Sequence, residues 1–206
     1  MATKSLDDMM SNTAGLAEAD VKALLEEMRA LQTQVQQQAQ QIQTLERDTL
    51  TDPLTSVLNR RGFDMELNRA MANARRHGRH GALLLLDMNN FKSINDSFGH
   101  HVGDLALQHV AGLLAENVRD TDVVARIGGD EFAVILNDVR GPADAERRAR
   151  ELTSLIQATP VKDGAERIWI EGSIGCHFIS RDEDMIEVLS QADAAMYAAK
   201  PKNQQN

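Results

Sequence analysis

The sequence predicts an α/β (α+β) fold: a mixed sheet with helices packed on its faces, preceded by an N-terminal coiled-coil helix. Three observations carry this. From Thr49 onward, helix-like and strand-like hydrophobic patterns alternate. Two strand-like runs, Val123–Ile127 and Glu131–Leu136, are separated only by Gly128-Gly129-Asp130. That is a hairpin signal, and it excludes a purely parallel sheet. Before Thr49 the chain is rich in Gln and carries an apolar heptad.

The heptad runs from Val21. Val21, Met28, Val35 and Ile42 fall at one core position, and Leu24, Leu31 and Leu45 at the other, with Gln38 as the polar break. Residues of this kind favour a parallel dimer. A helix over Val21–Asp48 would be roughly 42 Å long at about 1.5 Å per residue. Residues 1–15 lack periodicity and are expected to be loose. The predicted division is therefore a coiled-coil segment over 1–48 and a folded domain over 49–206.

In the second segment, Arg60–Arg76 reads as a helix with Phe63, Leu67, Ala70 and Ala74 on one face. The unbroken run Ala82–Leu86 reads as a central strand buried on both faces. A short helical turn around Phe91, Ile94 and Phe98 follows, then a helix over Asp104–Val118 with Asp104 as a candidate N-cap. The Gly-Gly pair suits a type I′ turn, which needs positive φ at both central residues. Ala143–Ala158 is expected to be helical, Asp163-Gly164 a turn, Ile168–Phe178 one strand, and Met185–Lys200 a closing helix.

Composition narrows the function. The 206 residues carry a formal charge of −9, which argues against duplex nucleic acid as the main partner. Arg75-Arg76-His77-Gly78-Arg79-His80 is a basic cluster, but it reads as a solvated helix end and turn. Hydrophobic content of 42% supports an ordinary core. The one cysteine, Cys176, cannot form an internal disulfide. No apolar run approaches a membrane span, and the first residues lack a signal-peptide core. A cytoplasmic protein without membrane insertion is expected.

The chemistry concentrates at two acidic spots. Asp87 ends the buried strand, where an unsatisfied carboxylate would be costly. Asp130-Glu131 follows the glycine pair. Alternation along the strand sends the two in opposite directions, so only one should naturally meet Asp87. Two carboxylates at adjacent loop tips suit a hard cation and a nucleoside triphosphate; solvated acids at a hairpin tip are the other reading.

Four ordered motifs then carry a resemblance. DPLTSVLNRRGF at Asp52–Phe63, LLLLDMNNFKSINDSFGHHVGD at Leu83–Asp104, RIGGDEFAVIL at Arg126–Leu136 and ADAAMYAAK at Ala192–Lys200 resemble the GGDEF family of diguanylate cyclases. The resemblance spans about Thr49–Pro201. It implies a nucleotidyl-cyclase palm fold that condenses two GTP into cyclic di-GMP across a homodimer. It further implies Mg²⁺, two ions per GTP, with Mn²⁺ as a substitute.

By the same resemblance, Asp87, the backbone carbonyl of Met88 and Asp130 are metal contacts, with Asp130 also the acceptor of the 3′-hydroxyl proton. Glu131 belongs to the catalytic motif, and Lys92 faces phosphate. Asn95, His100, Asp104, Gly128, Gly129 and Lys200 contact GTP, Asn95 and Asp104 reading guanine. Arg119 and Asp122 match the RxxD motif of the inhibitory product site, and Arg150 aligns with a further arginine there. The sequence departs from the family in two places. Asn89 stands where many members carry Asp, and Gln204 replaces an arginine that helps hold the triphosphate. No sensory domain fits in residues 1–48, so an upstream signalling protein is an expected partner. Two other classes stay open: a cyclic di-GMP receptor using Arg119 and Asp122, and a coiled-coil interaction module.

Overall fold

The structure is a computed structural model that describes residue 23, residues 25–38 and residues 50–201. The chain divides between Thr49 and Leu50 into two units. In the first, residues 25–38 are helical (α1). Met28, Leu31 and Val35 are 50, 55 and 62% exposed on it. Spaced three and four apart, they share one face. Val21, Leu24, Ile42 and Leu45, and the expected loose segment 1–15, lie outside the described residues.

The second unit runs α2 (Arg60–His77), β1 (Gly81–Met88), α3 (Phe91–Phe98), α4 (His100–Glu116), β2 (Val123–Arg126), β3 (Glu131–Leu136), α5 (Pro142–Ala158), β4 (Val161–Asp163), β5 (Glu166–Ile168), β6 (Gly172–Ile179) and α6 (Met185–Ala199). The main sheet has the order β2-β3-β1-β6, and β4-β5 form a separate ribbon. The α+β class expected from the sequence holds. All three strand pairs of the main sheet are antiparallel. Its parallel component is the isolated bridge Leu58–Ala125 at the β2 edge.

Period-two alternation divides β1 between two cores. Leu84, Leu86 and Met88 join Phe132, Val134 and residues of α4 and α5, such as Val110 and Leu152. Leu83 and Leu85 join Ala133, Ile135 and residues of α2 and α6, such as Phe63, Leu67, Val188 and Met196. The strand is buried on both faces, as its apolar run predicts.

Helix ends follow local chemistry. Asn59 caps α2 by accepting from the Gly62 N–H at 3.0 Å, and Gly78, at φ 63°, ends it. Asp184 and Glu187 form a reciprocal capping box on α6. Arg75 donates to the Glu183 carbonyl at 2.8 Å, and Arg181 Nε donates to the Arg75 carbonyl. The basic end of α2 is thereby tied to the β6–α6 connection.

Three local expectations are corrected. First, α4 begins at His100, four residues before Asp104, because Gly99 at φ 87° turns the chain directly into it. Asp104 is therefore inside the helix and is not its N-cap. Second, Gly128-Gly129 is not a type I′ turn. β2 ends at Arg126 and β3 begins at Glu131, which leaves a four-residue connection, and neither glycine is among the positive-φ residues. Third, Ile168–Phe178 is not one strand. Ile168 ends β5, Trp169 is exposed, Ile170 is buried, and β6 starts at Gly172 in the other sheet. Burial of alternate residues continued across the break and made it look like a strand.

Candidate active site

The antiparallel register places Asp87, at the end of β1, directly opposite Glu131, the first residue of β3. The Met88 N–H donates to the Asp130 carbonyl at 3.1 Å. Burial raises the Asp130 carboxyl above its ordinary range, and the Asp87 carboxylate raises it further; Lys200 and Arg126 oppose the shift. The Asp87 charge therefore reaches Asp130, although the register sets Glu131 on the face of the sheet that Asp87 occupies. The Glu131 side chain folds back over Gly128, where a Cβ would collide with its carboxylate. A side chain at Gly128 would push the Glu131 carboxylate aside, while Gly129 faces open space.

Lys200 completes this cluster. Its Nζ lies 2.9 Å from Asp87 Oδ1, and the two side chains are 20% and 17% exposed. Its placement follows from packing. At Gly175 on β6 a Cβ would overlap the backbone of Ala192 and Met196, so the glycine seats α6 close against the sheet. Lys200 is the residue at the C-terminal end of that helix.

The α3–α4 corner carries the expected guanine readers. Gly103, inside α4, has no room for a Cβ because Asn95 Oδ1 and the Phe91 ring occupy the space. This glycine lets α3 and α4 meet, and it brings Asn95 beside the helix that bears Asp104. His100 and Asp104 are exposed on α4, and Lys92 is exposed in the first turn of α3. Asn89, by contrast, is 7% exposed and accepts a hydrogen bond from Ser173 Oγ at 2.9 Å. Asn89 here serves a buried polar pair.

The residues fit a hard divalent cation. Carboxylate and carbonyl oxygens are the donors Mg²⁺ prefers, and it is usually held by one or two carboxylates plus substrate phosphates. Among the described residues no three His, Cys, Asp or Glu side chains converge on one point. The ligand set would be Asp87, Asp130 and the Met88 carbonyl, completed by the nucleotide. The Asp130 carboxyl is raised first by burial and then by the Asp87 charge, and a bound cation would offset both.

The RxxD turn is built internally. One Asp122 oxygen accepts from the Arg119 N–H at 3.1 Å and the other from the Asn137 N–H at 2.8 Å. Arg119 itself is exposed. A polar cavity of about 500 Å³ borders Asp122 and is also lined by Arg69, Arg79 and Asp120. On α5, Arg148 Nη2 donates to the carbonyl of Asn117, the residue that ends α4 ahead of this turn, at 2.6 Å. Arg150 pairs with Glu146 at 3.6 Å on the surface of α5. Gln204 lies outside the described residues.

Sequence reasoning also missed Arg126. Its guanidinium donates to the Gly129 carbonyl and to Asp52. Burial opposes the charge of Asp52, but hydrogen bonds from the Thr55 hydroxyl and N–H, with Arg126, hold its carboxyl below the usual range. Both residues stand in the quoted motifs, yet a sequence shows neither the turn nor the loop that joins them.

The chain is similar to several known proteins. The family model described as the diguanylate cyclase GGDEF domain matches residues 49–206. The bifunctional diguanylate cyclase/cyclic di-GMP phosphodiesterase MucR of Pseudomonas aeruginosa is 42% identical over 152 residues, 73% of this chain and 22% of MucR. The diguanylate cyclase TpbB of the same organism is 36% identical over 193 residues, 91% of this chain and 44% of TpbB. The chain thus spans less than half of either relative. The crystal structure of the coiled coil and GGDEF domain of DgcB from Caulobacter crescentus, in complex with c-di-GMP, superposes with a TM-score of 0.68 at 30% identity. That match covers 85% of this chain and 93% of that one. Among the described residues, no helix is long and apolar enough to cross a membrane.

Proposed function

The chain belongs to the GGDEF domain family, and from that premise we infer that it is a diguanylate cyclase, condensing two GTP into cyclic di-GMP and two pyrophosphates across a homodimer. The observation that carries this reading is the meeting of Asp87 and Asp130 at the ends of paired strands, with Lys200 beside them. A receptor would need neither carboxylate.

Each domain holds one GTP. Asn95 and Asp104 hold guanine, the aspartate accepting from its N–H groups and the amide both donating and accepting. Lys92 and Lys200 face the triphosphate and stabilise charge that grows in the transition state. Asp87, Asp130 and the Met88 carbonyl would hold Mg²⁺, which would supply Lewis-acid polarisation of the phosphate and lower the pKa of the attacking hydroxyl. Asp130 accepts the 3′-hydroxyl proton. The oxygen forms a bond to the α-phosphorus of the partner's GTP, and the bond from that phosphorus to pyrophosphate breaks. The reciprocal step closes the ring.

Product inhibition is assigned to the RxxD turn. Asp122 spends both oxygens on backbone N–H groups, so its part is to hold the turn while Arg119 meets the ligand. Arginine suits bidentate phosphate and guanine contacts. The adjoining cavity with Arg69 and Arg79 supports this assignment. The exposed apolar face of α1 supports pairing of two copies, which would bring two half-sites together.

The test is direct. The purified chain is incubated with GTP and Mg²⁺ and its products are separated by chromatography. Cyclic di-GMP and pyrophosphate in a one-to-two ratio are expected. Folded protein that binds cyclic di-GMP but leaves GTP intact would establish the receptor reading instead.

A further inference from the structure

Asp130 lies between two held peptide groups. Its own carbonyl accepts from the Met88 N–H at 3.1 Å. The preceding carbonyl, that of Gly129, accepts from Arg126 Nη2 at 2.7 Å and from Arg126 Nε at 3.2 Å. The rest of the loop is loosely tied: Ile127 N–H reaches the Glu131 carbonyl at 2.9 Å, and Gly128 N–H the same oxygen at 3.4 Å. Two adjacent glycines without side chains give this loop wide backbone freedom. The guanidinium fork removes that freedom at the peptide that leads into Asp130.

The fork is itself anchored. Arg126 Nη1 lies 3.3 Å from Asp52 Oδ1 and 3.5 Å from Oδ2, and the two side chains are only 16% and 18% exposed. Asp52 Oδ1 also accepts from the Thr55 N–H at 2.9 Å and the Thr55 hydroxyl at 2.6 Å. The turn that bears Asp52 is closed by Asp52 N–H to the Val57 carbonyl and Ser56 N–H to the Asp52 carbonyl, both 2.8 Å. Arg126 N–H bonds the Leu58 carbonyl at 2.7 Å, so backbone and side chain of Arg126 hold opposite ends of one segment.

We propose that Arg126 is the positioning residue for Asp130, that it acts through the Gly129 carbonyl, and that Asp52 acts through Arg126. The turn at Asp52–Val57 is then part of the support of the catalytic loop, although it touches no reacting atom. Lysine cannot replace the arginine fully. A single ammonium can reach the Gly129 carbonyl or Asp52, but it lacks the planar fork that reaches both. The proposal rests on the reading of Asp87 and Asp130 as metal carboxylates.

The experiment measures Mn²⁺ binding to the full chain without nucleotide, by electron paramagnetic resonance, alongside each melting temperature. The variants are Arg126→Gln, Arg126→Lys, Asp52→Asn, the Asp52→Asn/Arg126→Gln double variant and Asp130→Asn. Arg126→Gln is expected to weaken Mn²⁺ about tenfold, the usual scale for losing a group that orients a ligand. Arg126→Lys should recover part of that loss and Asp52→Asn should lose less. The double variant should bind no more weakly than Arg126→Gln alone. Wild-type affinity in Arg126→Gln, or a double variant that loses the product of both single factors, would overturn the proposal. Should Arg126→Gln fail to fold, wild-type affinity in both Arg126→Lys and Asp52→Asn would overturn it. Asp130→Asn separates the two layers. If it binds Mn²⁺ as the wild type does, the metal reading itself is wrong; if it alone loses the ion, only the clamp is.

Discussion

The ammonium of Lys200 sits 2.9 Å from Asp87 Oδ1 and also lowers the cost of ionising Asp130. One cation from the end of α6 thus balances two carboxylates from the β1 and β3 ends. On the proposed reading the same group would have two roles: beside Asp87 it would compete with a divalent cation, and beside GTP it would face phosphate.

Lys200→Met should therefore move two constants in opposite directions. Mn²⁺ affinity without nucleotide should rise about fivefold, since a largely buried ion pair of this kind is worth about 1 kcal/mol. KM for GTP should increase as the triphosphate loses a cation. Calorimetric titration of Mn²⁺ and steady-state kinetics read the two effects separately; a fall in both affinities would mean that Lys200 only holds the fold.

Acid stability should depend on the β6–α6 connection. Burial opposes the charge of Glu183, but the Ser180 N–H and His177 Nε2, at 2.7 and 2.9 Å from its oxygens, hold its carboxyl below the usual range. A carboxyl depressed on folding adds stability above its unfolded value, and that stability is lost as pH falls through the folded value. Glu183→Gln should cost about 1 kcal/mol at pH 7. The gap should close as pH falls below the ordinary glutamate range and through the depressed folded value. Urea denaturation across pH checks this, and a gap independent of pH would contradict it.

Arg119→Ala should relieve product inhibition and leave KM for GTP unchanged. The exposed guanidinium is separate from Asp87 and Asp130, and Asp122 holds the turn through backbone bonds that this substitution spares. Progress curves with added cyclic di-GMP give the answer. Equal inhibition of wild type and variant would place the inhibitory site elsewhere.

Removing residues 1–48 should leave a folded domain, because both hydrophobic cores lie within the second unit. Specific activity should fall at least tenfold at low concentration and recover as protein is added, since a tether raises effective concentration. Light scattering and activity over one dilution series test this; full activity at every dilution would exclude the helix from assembly.

Much of this was legible in the sequence. The Ala82–Leu86 run identified the central strand because burial on both faces leaves no room for polar alternation. Asp87 and the glycine pair marked the loop tips. What the sequence hid was pairing at a distance. Gly128-Gly129 looked like a tight turn because the Arg126–Phe132 register cannot be read from a single strand. Nothing in the sequence marks Gly103 as the place where Asn95 packs against α4. Arg148 and Arg150 are equivalent by composition, and only the packing of α5 brings Arg148 to Asn117. Asn89 reads as a lost metal ligand in sequence but is half of a buried pair with Ser173.

The most direct test of the central claim compares wild type with Asp130→Asn in one assay of cyclic di-GMP and pyrophosphate release from GTP with Mg²⁺. Asparagine keeps the shape and the Met88-bonded backbone but removes the charge proposed to bind the ion and the base proposed to take the proton. The wild type is predicted to form one cyclic di-GMP for every two pyrophosphates. The variant, folded and of unchanged oligomeric state, is predicted to be slower by about a hundredfold or more. Product formation by Asp130→Asn at the wild-type rate would contradict the account.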